Sequence, residues 1–158
     1  MWHVMIYYLL LFAACTYALF RGGAPERIAA ILYTVATLLT VLAAPQWQWR
    51  SDGIDWGVFA VDGALFAALV LLALHANRFW PIWASALQGF GLLGHVSVLA
   101  APSIAPVVYA SMVAIAAYPM LMLLAIGTWR HQRLIAAGEA DPSWTDFSRR
   151  AGATPLRV

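Results

Sequence analysis

The stretch WGVFAVDGALFAALVLLALHANRFWPIWASALQGFGLLGHVSVLAA, residues 56–101, holds two long apolar runs separated by a very short polar turn. Trp56–Ala76 carries one carboxylate, Asp62, and Phe79–Ala101 carries an imidazole, His95. About 20 apolar residues at 1.5 Å each match the hydrocarbon core of a bilayer, so the pattern predicts a hairpin of two transmembrane helices. Asp62 and His95 each lie about six residues from the end away from the turn, so antiparallel packing puts them at similar depth.

The rest of the chain extends the same pattern. Met1–Phe20, Ile28–Ala44 and Val107–Trp129 are further apolar runs. Across all 158 residues 63% are hydrophobic and only 10% charged, against about 25% charged in an ordinary soluble domain. That leaves too little polar surface for a soluble chain. The expectation is an all-α membrane protein, a bundle of five transmembrane helices over residues 1–129 followed by a polar tail over 130–158.

The formal net charge of +2 comes from nine arginines and no lysine. Most lie beside the ends of apolar runs, which is a signature of membrane orientation rather than of nucleic-acid binding. Placing the tail inside puts Arg21, Arg27, Arg78, Arg130, Arg133, Arg149, Arg150 and Arg157 on the cytoplasmic side and leaves Arg50 outside. The positive-inside rule therefore predicts an outer N-terminus and a cytoplasmic C-terminus. The first run has no basic residue before Arg21, unlike a cleaved signal peptide, and is read as a retained helix. Trp2, Trp47, Trp49 and Trp56 at one side, and Trp80, Trp83 and Trp129 at the other, read as two interfacial belts. His131, between Arg130 and Gln132, reads as a boundary anchor, and Asp141-Pro142-Ser143-Trp144 as the start of a short surface helix.

Within the spans Asp62 is the costliest residue, since a carboxylate at a helix centre costs about 2.5–3.5 kcal/mol on insertion scales. Pairing with His95 offsets that, either as a structural clamp between helices, the favoured reading, or as a proton-transfer pair. Ser85, Gln88, Gly91 and His95 recur at 3–4 spacing and form a small and polar stripe, expected to pack against other helices. In the second run Tyr33, Thr37 and Thr40 share a face. Glu26 lies in a first helical turn, where the helix dipole favours negative charge.

Other chemistry lacks its residues. His75 and His95 lie at opposite ends of the hairpin and cannot share a haem iron. The solitary Cys15 builds neither a disulfide framework nor a thiolate metal site. No phosphate loop or H-E-x-x-H occurs, and no nucleophile, base and orienting group come together. No cofactor and no metal are predicted, and an enzymatic role is disfavoured.

Arg21-Gly22-Gly23-Ala24-Pro25-Glu26-Arg27, Arg78-Phe79-Trp80-Pro81-Ile82-Trp83 and Gly94-His95 resemble a family of uncharacterised small proteobacterial membrane proteins. The resemblance covers most of the five runs. It implies a bacterial inner-membrane setting and carries over no catalytic residue. The expected function is an accessory or scaffold subunit of an inner-membrane assembly, held by the lipid bilayer and by a membrane-protein partner or a second copy. The alternative is a small proton-linked transporter or channel acting as an oligomer, with Asp62 and His95 titrating and Gln88 on the path.

Overall fold

The computed structural model describes residues 2–43, 56–100 and 105–145. The Pro45–Asp55 loop with Trp47, Trp49, Arg50, Asp52 and Asp55 lies outside them, as do Arg149, Arg150, Arg157 and the side chains of Trp2 and His3. The described chain is all-helical: α1 Trp2–Arg21, α2 Ala24–Ala43, α3 Trp56–His75, α4 Trp80–Ala100 and α5 Ala105–Ala136. Two of them, α2 and α3, are long and apolar enough to cross a membrane by length and composition.

The turns explain where the helices stop. Gly22 N–H donates to Ala18 O at 2.8 Å and closes α1, and Arg27 N–H donates to Gly23 O at 3.1 Å and opens α2. Pro25 falls in the first turn of α2, where a missing N–H leaves no hydrogen bond unmade. At the other short turn, Ala76 N–H donates to Leu72 O at 2.8 Å, and Pro81 again stands in the first turn of α4.

The fifth helix outlasts the apolar run that announces it. It continues past Trp129 through Arg130 and Arg133 to Ala136, because arginine is a good helix former and hydropathy marks only the apolar part of a helix. It stops in a Schellman motif: Gly138 has φ +72°, Glu139 N–H donates to Leu134 O and Gly138 N–H to Ile135 O, each at 3.0 Å. Glycine takes that left-handed conformation without a Cβ penalty. The chain then runs, non-helical through Thr145, back to the α3–α4 turn. Asn77 N–H donates to Ser143 O at 3.0 Å, Thr145 N–H donates to His75 O at 2.9 Å, and Ala76 bridges Trp144 in antiparallel fashion. The surface helix expected to begin at Asp141 is therefore replaced by an extended strap as far as Thr145.

Neighbouring helices pack in chain order, α1 on α2, α2 on α3, α3 on α4 and α4 on α5, and α1 closes the set against α5 while α2 also touches α5. The shared core interleaves small residues, among them Ala14, Ala18, Ala29, Ala30 and Ala84, with larger ones such as Leu11, Leu69, Leu72, Met120 and Leu124. Small side chains let helices approach closely. Large apolar side chains face outward instead, along α2 at Ile31, Val35, Leu38 and Leu42, and on α1 at Leu9, Phe12 and Phe20.

Candidate functional site

Two polar clusters occupy opposite ends of this bundle. At the end away from the short turns, His95 Nε2 on α4 lies 2.9 Å from Asp62 Oδ2 on α3. With the carboxylate ionised, Nε2–H donates across the helix pair. Gln88, two turns from His95 on the same helix, donates through Nε2 to Asp62 Oδ1 and to the Asp62 carbonyl, each at 3.3 Å. The Phe59 ring meets His95 edge-on at 5.5 Å between centroids. The His95 side chain is 4% exposed and that of Asp62 23%, so the pair is sealed on the imidazole side and partly open on the carboxylate side.

The predicted stripe divides between partners. Gln88 and His95 turn to α3, whereas a Cβ at Gly91 would meet Ala116 of α5 at 3.9 Å. Ser85 Oγ donates to Ile82 O on its own helix at 2.8 Å, so it satisfies itself and does not join Asp62. On α2, Thr34 Oγ1 likewise donates to Ala30 O at 2.8 Å. The buried Tyr33 hydroxyl has no hydrogen-bond partner among the described residues.

The turn end holds the larger cluster, and it gathers residues from five segments, α2, the α3–α4 turn, α4, α5 and the strap. Arg78, from the α3–α4 turn, is its centre. Its Nε donates to Glu26 Oε1 at 3.2 Å, its Nη1 donates to Asp141 Oδ1 and, at 3.4 Å, to Pro142 O, and its Nη2 stands 3.2 Å from His131 Nδ1. Trp80 Nε1 donates to the same Glu26 Oε1 at 3.0 Å. His131 Nδ1 lies 2.7 Å from Asp141 Oδ2. Glu26 is 0% exposed and Arg78 7%, so this is a buried ion pair and not a surface one.

The local sequence makes the convergence possible. Glu26 sits in the first turn of α2 beside the α1–α2 turn. Trp80 opens α4, and its indole lies flat enough against α5 that a Cβ on Gly127 would stand 2.6 Å from it. The helical extension beyond Trp129 carries His131 into the cluster, and the strap after Gly138 returns Asp141 to it. Trp80 is thus a buried hydrogen-bond donor, unlike Trp83 and Trp129, which are exposed. His131 is likewise a member of a polar network and not an isolated anchor.

Reading the residues one at a time misses this cluster, because each has a sufficient local explanation. The signal that points to it is topological: Glu26, Arg78, His131 and Asp141 all lie at the same end of an alternating bundle, and two acids at that end need cations. No family model matches the chain, and neither does any curated protein or solved structure.

Proposed function

We propose that the chain is a five-span inner-membrane protein, with its N-terminus outside and its C-terminus cytoplasmic, that serves as an accessory or scaffold subunit of a larger membrane assembly. The observation that carries this reading is the fate of the polar groups. Asp62, Gln88 and His95 at one end, and Glu26, Arg78, Trp80, His131 and Asp141 at the other, bond to one another within the chain, while large apolar side chains of α1 and α2 turn outward. Such bonds lock helices together, and the outward faces suit acyl chains and the helices of a neighbour. The arginine distribution gives the orientation.

The test is the mass and composition of the protein purified from its native membrane in mild detergent. Partner chains in fixed stoichiometry are expected. A partner-free protein that transports or catalyses after purification overturns the reading.

A second reading is a proton-linked carrier or channel, acting as an oligomer because five helices make a thin wall around a pathway. It is favoured by one feature, the partly open carboxylate of Asp62 against a sealed imidazole. Titratable pairs of this kind serve as proton relays inside membranes. Reconstitution in proteoliposomes decides it: a demonstrated flux that survives Asp62→Asn removes the mechanism.

A further inference from the structure

The acids and the arginines of the turn end are sorted in opposite directions. Glu26 and Asp141 are engaged inside the bundle by Arg78 and His131. Arg21, Arg27, Arg130 and Arg133 are exposed, and among the described residues no carboxylate lies within ion-pair distance of any of them. Of the described acids at this end, Glu139 alone is left on the surface to offset them. Turning the other two inward is what leaves the surface its positive charge.

The outward face of α5 gives that charge a setting. Met122, Ile126, Trp129 and Arg133 follow 3–4 spacing, so they share one side of the helix, and all four are exposed. Towards the turn end this face passes from apolar side chains to an indole and then to a guanidinium. Arg133 Cζ stands 4.5 Å from the centroid of the Trp129 ring, a cation–π contact. The ring holds the guanidinium in place, and among the described residues its N–H groups have no other partner. That fork matches the oxygens of a phosphate, to which it can donate two parallel hydrogen bonds. Arg130, three residues earlier, is its neighbour on the helix surface. Gln132 Nε2 donates to the carbonyl of Arg21, which fastens the end of α1 to the same turn of α5 and sets Arg21 beside it. Arg27 stands apart on α2, its Nε donating to Gly22 O at 3.0 Å.

We propose that Arg133, held over Trp129, forms with Arg130 and Arg21 a binding site for the phosphate of an anionic phospholipid, whose acyl chains lie along Ile126 and Met122. The order of chemistry along the face is the order along the lipid, from hydrocarbon through the interface to the phosphodiester. Three cations without an acid of their own complement a headgroup of net negative charge. They disfavour a zwitterionic one, which brings its own cation. Basic clusters at the ends of membrane helices recognise anionic headgroups by this attraction. The site rests on the membrane placement proposed above and on neither of the two functional readings.

The test is native mass spectrometry of the full chain in mild detergent, mixed with phosphatidylglycerol or with phosphatidylcholine of the same acyl length. Preferential retention of phosphatidylglycerol is expected, and this comparison on the unaltered chain needs no variant to fold. Arg133→Gln should weaken that retention roughly fivefold, the equivalent of about 1 kcal/mol for one arginine near anionic lipid. Trp129→Leu should weaken it too although every charge stays in place, whereas Arg27→Gln should change it much less. Equal retention of the two lipids overturns the proposal. So does an equal loss in Arg133→Gln and Arg27→Gln, which assigns the preference to diffuse surface charge. Displacement of the lipid by glycerol phosphate at matched concentration assigns the site to a free phosphate and overturns it as a lipid site. Flotation with vesicles separates two kinds of failure. A chain that floats yet shows no lipid preference overturns the site alone, and one that does not float overturns the membrane placement and the site together.

Discussion

The Asp62 pair and the Arg78 cluster solve the same problem, a carboxylate inside a helical bundle, by different means. Asp62 meets an imidazole and a carboxamide across one helix pair, keeps part of its side chain open, and draws its hydrogen-bond partners among the described residues from α4. Glu26 meets a guanidinium and an indole, is closed off entirely, and depends on the α3–α4 turn, α4, α5 and the strap together. The first arrangement is expected to tolerate change, because its carboxylate is partly open and its partners come from one helix. The second does not, since among the described residues Arg78 is the group bonded to both acids. The lesson is that burial and the number of segments joined, rather than charge alone, decide how much a pair matters to the fold.

That contrast is broken most directly at Arg78. Arg78→Met leaves Glu26 and Asp141 buried without their shared cation, and removal of one partner of a buried pair costs about 3–5 kcal/mol. Unfolding followed in mixed detergent is expected to show a loss of that size, the largest of any substitution proposed for this chain. Adding Glu26→Gln to Arg78→Met should return part of it, since one orphaned charge is then gone. Full additivity of the two losses would show that the pair is not coupled.

The two ends also differed in how much of them the sequence displays. Asp62 and His95 lie in one hairpin with a very short turn, and a short turn fixes the register of antiparallel helices, so counting residues from the turn suffices to place them together. Helices α1, α3 and α4 also keep close to their apolar runs, whereas α2 begins before its run at Ala24 and α5 continues past its own to Ala136. The Arg78 cluster is not countable in this way. Glu26 is explained by the helix dipole, Arg78 by membrane orientation, Trp80 by an aromatic belt and His131 by a boundary position, and nothing local distinguishes these from a buried network. Two facts assemble them: α5 stays helical past its apolar part, and Gly138 turns the strap back. Hydropathy sees neither. Gly138 is a stop signal that helix-capping rules do recognise, and it marks the true end of α5.

A smaller perturbation reaches the turn-end cluster from outside. Gly127→Ala would place a methyl group 2.6 Å from the Trp80 indole, so the ring must move and with it the hydrogen bond to Glu26. Overpacking of a filled contact costs typically about 1–3 kcal/mol. Tryptophan fluorescence is crowded in a chain with eight tryptophans, so unfolding free energy is the better measurement. Gly89→Ala is the matched control. Its methyl would meet the edge of Phe66 at 3.1 Å, a milder contact that leaves no buried hydrogen bond at risk, and it should cost less.

The strap supplies the next step down. Gly138→Ala puts a Cβ on a residue with φ +72°, which costs roughly 1–2 kcal/mol of local conformational energy. The loss is expected locally, as faster hydrogen exchange at Gly138, Glu139, Asn77 and Thr145, whose amides make the end of α5 and the strap contacts. Exchange that accelerates uniformly over the bundle instead would mean that the strap does not open separately from the helices.

Asp62→Asn is expected to have the smallest effect, and its size is the sharpest test of the comparison. The amide keeps a carbonyl oxygen that can accept from His95 Nε2 or from Gln88, and the Asp62 carbonyl that also accepts from Gln88 is untouched. The lost charge was a quarter open to begin with and faced an imidazole, so no second ion is stranded if that ring is neutral. What remains is the difference between a charge-assisted and a neutral hydrogen bond, on the order of 1 kcal/mol. A loss comparable to that of Arg78→Met would mean that the Asp62–His95 pair is as indispensable as the buried ion pair, which its partly open carboxylate argues against. A small loss leaves the carboxylate free for a role other than holding α3 to α4, because a group that contributes little to folding can exchange a proton at little cost to the fold.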